Sequence, residues 1–138
     1  MKFEGSCLCR KVRFRAIGPL GKMGNCHCSD CQKAHGAAFA TFIAVPRERF
    51  SFLQGEKRLG RHRAATGAVR SFCRKCGSIL IWEEESDPDT VSLVAALLDA
   101  PPAGMRPEYH IFVRSKAPWY EIRDGMPEHQ AYPLEGDS

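Results

Sequence analysis

The seven cysteines of this 138-residue chain fall into three tight groups: Cys7-Leu8-Cys9, Cys26-His27-Cys28-Ser29-Asp30-Cys31 and Cys73-Arg74-Lys75-Cys76. Sulfurs two or three residues apart can close on one tetrahedral metal ion, and zinc binds thiolate at about 2.3 Å. Two groups of two complete a four-sulfur site, which leaves the group of three one ligand short. A structural zinc is fully ligated by protein, whereas a catalytic zinc keeps a position for water or substrate. An odd cysteine count fits a disulfide framework poorly, and clustered cysteines in a reducing compartment bind metal more often than they oxidise.

Spacing leaves two pairings open. Cys7, Cys9, Cys73 and Cys76 would staple the start of the chain to its middle, with Cys26, Cys28 and Cys31 holding a second metal. The rival takes its four ligands from the first two groups and leaves Cys73/Cys76 as a separate, redox-capable pair.

The elements that must position these groups read as short strands. Residues 10–16 alternate polar and apolar, residues 39–45 form a strong apolar strand, and shorter strands are expected over 50–53, 57–63, 68–72 and 78–82. Gly77 supplies the positive φ that a tight turn after the third group needs. Residues 83–89 read as an acidic turn, 91–98 as a strand and 108–113 as the last clear strand. Ser29-Asp30 can start a short helical turn. The expectation is an all-β chain with short helical turns: one domain over residues 1–125 and a polar tail, 126–138, whose last eight or so residues fray.

Composition is that of an ordinary globular chain, 43% hydrophobic and 26% charged. No apolar run approaches the roughly 20 residues that span a bilayer, and none at the N-terminus resembles a signal peptide, so a cytoplasmic protein is expected. The net charge of +4 hides an asymmetry: residues 1–70 carry 14 Lys/Arg against 4 Asp/Glu, residues 71–138 carry 6 against 12. Much of that excess would balance thiolates, and the remainder could attract an anionic ligand. Aromatic residues do not interleave with the arginines as a nucleic-acid platform requires, so a nucleic-acid partner is not expected.

Gly5-Ser6-Cys7-Leu8-Cys9, Cys26-His27-Cys28-Ser29-Asp30-Cys31-Gln32-Lys33 and Phe72-Cys73-Arg74-Lys75-Cys76-Gly77-Ser78 resemble the motifs of the glutathione-dependent formaldehyde-activating enzyme family, which includes centromere protein V. The likeness continues through Asp87-Pro88-Asp89-Thr90, Leu98-Asp99, Arg106-Pro107, His110-Ile111 and Ser115-Lys116-Ala117-Pro118-Trp119. It departs at Arg10, where a glycine is common, and at His35-Gly36-Ala37-Ala38.

The resemblance implies a β-tent of small antiparallel sheets stapled by zinc knuckles, with two zinc ions per chain. It implies a structural zinc on Cys7, Cys9, Cys73 and Cys76 and a catalytic zinc on Cys26, Cys28 and Cys31. The implied activity is a carbon–sulfur lyase that forms or cleaves S-hydroxymethylglutathione, its partners glutathione or a similar thiol and an aldehyde. A zinc-stapled, non-catalytic binding module is the alternative.

Several neighbours of the cysteines have bland and functional readings. His27 is expected to face solvent or sit just outside the metal, and Asp30 to organise the turn. His35 could reach the metal or substrate. Core packing is the default for His110 and Trp119, with proton transfer a second possibility for His110, and Lys116 reads as a solvated charge.

Overall fold

The computed structural model describes residues 1–133. The fold is all-β with one α-helix. The chain divides into two compact units.

The first unit comprises Met1–Gly21 and Ile43–Met105. Strand β1 (Lys2–Ser6) pairs antiparallel with β2 (Arg13–Ile17), which pairs in turn with β5 (Phe50–Gln54). In this three-stranded sheet alternate residues Val12, Phe14 and Ala16 are fully buried, the period of two that the sequence showed. Phe14 stacks on Phe50 with ring centroids 5.5 Å apart. Burying a ring of this size contributes about 1.5–3 kcal/mol. Gly5 is required beside it, because a Cβ there would lie 2.3 Å from the Phe14 ring and 2.6 Å from the Leu97 carbonyl.

The other strands of this unit are the second half of β4 (Ala40–Pro46), β6 (Leu59–Arg63), β7 (Ala68–Cys73), β8 (Ile79–Glu84) and β9 (Asp87–Val94), in the order β4-β9-β8-β7-β6. Leu80, Ile81, Val91 and Leu93 form its core.

The second unit comprises Lys22–Phe42 and the described residues from Arg106 onward. It holds β3 (Met23–Cys26), helix α1 (Ser29–His35), the first half of β4 and β10 (Tyr109–Ile111), with sheet order β10-β3-β4. β10 runs parallel to β3 and places His110 opposite Asn25. Residues 127–131 lie beside β10, where Pro127 and His129 exchange backbone hydrogen bonds with His110 and Val113.

Five expectations about elements change. The strand over 57–63 begins at Leu59, because Glu56–Arg58 forms a 3₁₀ turn. The turn over 83–89 shrinks to Glu85-Ser86, because Asp87 already pairs with Glu84 across a tight hairpin. The strand over 91–98 ends at Val94, and Ala95–Leu97 forms a 3₁₀ turn. The strand over 108–113 is cut to three residues by Phe112, whose φ of 56° turns the chain. The strand over 10–16 begins at Arg13, since Arg10 takes a φ of 64°. Part of the expected frayed end, residues 134–138, lies outside the described residues.

Gly55→Ala tests the turn that follows β5. Gly55 has a φ of 77°, and a Cβ there would lie 2.1 Å from the Lys11 carbonyl oxygen. Backbone must move to admit it, so a urea melt should show a loss of about 2–4 kcal/mol. Unchanged stability would mean that this approach is not made.

Candidate metal centres

The first unit brings together the outer two cysteine groups. Cys7 follows β1, Cys9 lies in the turn that Arg10 closes, Cys73 ends β7, and Cys76 sits in the turn closed by Gly77, whose φ is 84°. Each group is wound as a knuckle: Cys7 N–H donates to the Val12 carbonyl at 3.1 Å, and Gly77 N–H to the Cys73 carbonyl at 2.8 Å. Leu8 N–H donates to Ser78 Oγ at 2.9 Å and links the two knuckles.

The four sulfurs lie within 4.8 Å of one another, with Cys7 Sγ 3.6 Å from Cys9 Sγ and Cys9 Sγ 3.8 Å from Cys73 Sγ. Four sulfurs at about 2.3 Å from a tetrahedral ion stand about 3.8 Å apart, so this set fits zinc. A backbone N–H from Val12 points at Cys7 Sγ at 3.4 Å, as a thiolate would accept. For the thiols without metal, burial is outweighed by hydrogen bonds at Ser78, and Cys76 is pulled down to about 5. A backbone hydrogen bond at Lys11 favours the Cys9 thiolate, but burial and the Cys7 and Cys73 sulfurs push it up to about 11.

The second unit brings Cys26, Cys28 and Cys31 together, their sulfurs also within 4.8 Å. Cys26 ends β3, Cys28 is the N-cap of α1, and Cys31 lies in the first turn of that helix. Cys28 Sγ accepts from Cys31 N–H at 3.2 Å, so one sulfur serves as both cap and candidate ligand. Cys26 and Cys31 are buried, and Cys28 is partly exposed. Crowding by the Cys28 and Cys31 sulfurs, then burial, pushes the Cys26 thiol far up, the behaviour of a cluster lacking its cation. Among the described residues no fourth His, Cys, Asp or Glu joins this set.

The neighbouring residues differ from their first readings. His27 does not face solvent: it is 0% exposed, and its Nε2 lies 2.8 Å from Nδ1 of His110, itself 1% exposed. His110 Nε2 lies 2.8 Å from Asp124 Oδ2. The rings of Phe39 and Tyr120 flank His27 at 5.0 and 6.1 Å. Burial, then the His110 and Lys116 charges, pushes the His27 imidazole down to about 4. His35 stands outside the sulfur cluster, edge-on to Phe42. Lys116 is not a free surface charge, because its Nζ donates to the Ala117 and Tyr120 carbonyls. Trp119 is 73% exposed and packs into no core.

Two residues that the sequence did not single out hold this region. Gln32 Nε2 donates to the carbonyls of His27 at 2.7 Å and Ser115 at 2.8 Å, tying the cysteine loop to the turn after β10. Asp124 anchors the histidine pair. An Asp-Gly dipeptide is a turn signal, but nothing in the sequence spacing points from Asp124 to His110.

Among the described residues no helix is long and apolar enough to cross a membrane. The model of the family described as glutathione-dependent formaldehyde-activating enzyme matches residues 2–115. A putative glutathione-dependent formaldehyde-activating enzyme of Halomonas elongata is 30% identical over 132 residues, covering 88% of this chain and 82% of that protein. An uncharacterized lyase of Schizosaccharomyces pombe is 29% identical over 81 residues, 59% of this chain and 57% of that relative's length. A crystal structure of a Rhodobacter sphaeroides protein shares the fold with a TM-score of 0.62 at 22% identity, covering 75% of this chain and 97% of that one. With this match over most of its length, the chain belongs to the glutathione-dependent formaldehyde-activating enzyme family.

Proposed function

We propose that the chain is a zinc-dependent carbon–sulfur lyase whose reaction centre is the Cys26, Cys28 and Cys31 group. It forms or cleaves S-hydroxymethylglutathione or a related adduct of a thiol and an aldehyde. Two zinc ions per chain are proposed, a structural one on Cys7, Cys9, Cys73 and Cys76 and a catalytic one on the three-cysteine group. The observation that supports this reading best is the difference between the two sets: four sulfurs in one, three and no further donor among the described residues in the other. Zinc on three thiolates carries a formal charge of −1, which suits it to hold an incoming thiol as thiolate more than to acidify water.

The chain's own part is position. Cys26 and Cys31 fix the floor of the site from a strand end and a helix, and partly exposed Cys28 marks its accessible side. Holding thiol and aldehyde together converts a bimolecular addition into a local one. A glutathione-rich cytoplasm is proposed as the protein's compartment, since clustered cysteines in a reducing compartment bind metal more often than they oxidise.

The binding-module alternative draws on the basic first half, and the ion pairs there weaken it. Arg13 and Arg15 bind Glu4 at 3.2 and 3.0 Å, Arg47 pairs with Glu83, and Arg63 with Glu85.

NMR exchange spectroscopy of formaldehyde, glutathione and their adduct, with and without zinc-loaded protein, tests the reaction. Acceleration above the spontaneous rate is expected, and its absence would sink the named chemistry.

A further inference from the structure

Two hydrogen bonds strap the turn after β10 to the cysteine loop. His27 N–H donates to the Ile111 carbonyl at 3.0 Å, and Gln32 Nε2 donates to the Ser115 carbonyl at 2.8 Å. Between these ties stands Arg114, whose backbone N–H donates to the Gln130 carbonyl at 3.4 Å. Phe112 opens the turn with a φ of 56°, rare for a bulky residue, and its ring packs against the cluster of Cys26, Cys31 and Ala40. Partly exposed Cys28 packs against the same cluster. The guanidinium of Arg114 lies over the Phe112 ring, 5.4 Å from its centre, and Tyr132 meets that ring edge-on at 4.9 Å.

This cation has no counterion in the chain's described part. Arg13, Arg15, Arg47, Arg63 and Arg123 each pair with a glutamate, whereas among the described residues Arg114 pairs with no carboxylate. Its side chain is exposed, so a solute can reach it. Stacking on an aromatic face fixes the plane of the guanidinium and leaves its N–H edge open. Such an edge offers two parallel donors, the geometry that a carboxylate accepts.

We propose that Arg114 is a specificity-determining residue that binds a carboxylate of the thiol substrate, which rests on the reaction class proposed above. A carboxylate one or two residues away from a thiol lies about 7 Å from it along extended chain. Arg114 presents its donors at a comparable range, from a ring that packs on the cysteine cluster. The contact selects acidic, peptide-like thiols over neutral ones. It is remote from the bonds that form and break, so it serves binding rather than the chemical step.

Arg114→Gln tests this in the zinc-loaded full chain, with glutathione and its diethyl ester as probes. Titration calorimetry should show the natural chain binding glutathione about tenfold more tightly than the diester, whose carboxylates are masked. The variant should lose that preference through weaker glutathione binding and hold the diester as before. In adduct exchange the loss should appear in KM, with kcat little changed. Lys33→Gln removes an exposed charge of the same sign from helix α1 and should keep the preference. Equal affinities in the natural chain overturn the inference, as does a preference that survives in Arg114→Gln. So does an equal loss of both probes in that variant, or an equal effect of Lys33→Gln. If calorimetry shows the preference and its loss but adduct exchange is not accelerated, the carboxylate contact stands and the reaction class falls.

Discussion

Cys7→Ser should leave the chain without a cooperative melting transition. Cys7 is buried at the end of β1, and its sulfur is one of four that draw the knuckle after β1 against the knuckle after β7. The unfolded chain has no such site, so metal binding free energy is folding free energy, about 10–16 kcal/mol for structural zinc in small peptides. A typical domain retains about 5–15 kcal/mol in total. A hydroxyl in place of one thiolate removes a ligand, lowers affinity for the ion, and leaves three crowded sulfurs, Cys73 buried and Cys9 and Cys76 partly exposed. Circular dichroism during heating, with zinc counted per chain, reads the outcome. A normal melt with two zinc ions retained would remove the structural assignment.

Cys28→Ser should have the opposite profile: fold kept, one zinc lost, and adduct exchange reduced at least 100-fold. Serine is among the best N-cap residues, and its Oγ can take over the Cys31 N–H that Cys28 Sγ now accepts at 3.2 Å. Helix α1 therefore starts where it did, and Cys26 and Cys31 keep their places. Two sulfurs and a neutral hydroxyl form a poor zinc site, because thiolate is the ligand the metal selects. The melting temperature should change by a few degrees at most. Retention of both ions would show that the ligands divide differently, and retention of activity would move the reaction centre elsewhere.

The contrast between these two variants follows from what the sequence makes legible. Cysteine spacing is local, and the knuckles can be read directly from it. The choice of partner for each knuckle is a long-range matter, which the spacing left open and which the strand topology decides. Alternating runs such as residues 10–16 announce half-buried strands, but β1 and β3 do not announce themselves. Met23-Gly24-Asn25-Cys26 has weak strand preference, and pairing with β10 makes it a strand. Gly24 is needed there because Tyr109 packs so closely that a Cβ would lie 2.2 Å from its ring. Phe112 with a positive φ breaks a local rule, so the early end of β10 could not be foreseen. The histidine chain was hidden for the same reason as the pairing: His27, His110 and Asp124 lie far apart in sequence, and only the fold gives them one axis.

Cadmium NMR of protein loaded with cadmium in place of zinc tests the central claim most directly. Two resonances are expected, one from a four-sulfur site and one from a three-sulfur site. Glutathione should move the three-sulfur resonance toward the four-sulfur position, as its thiolate becomes the fourth ligand, and leave the other unchanged. A single resonance, or two that glutathione does not move, would contradict an open three-cysteine site.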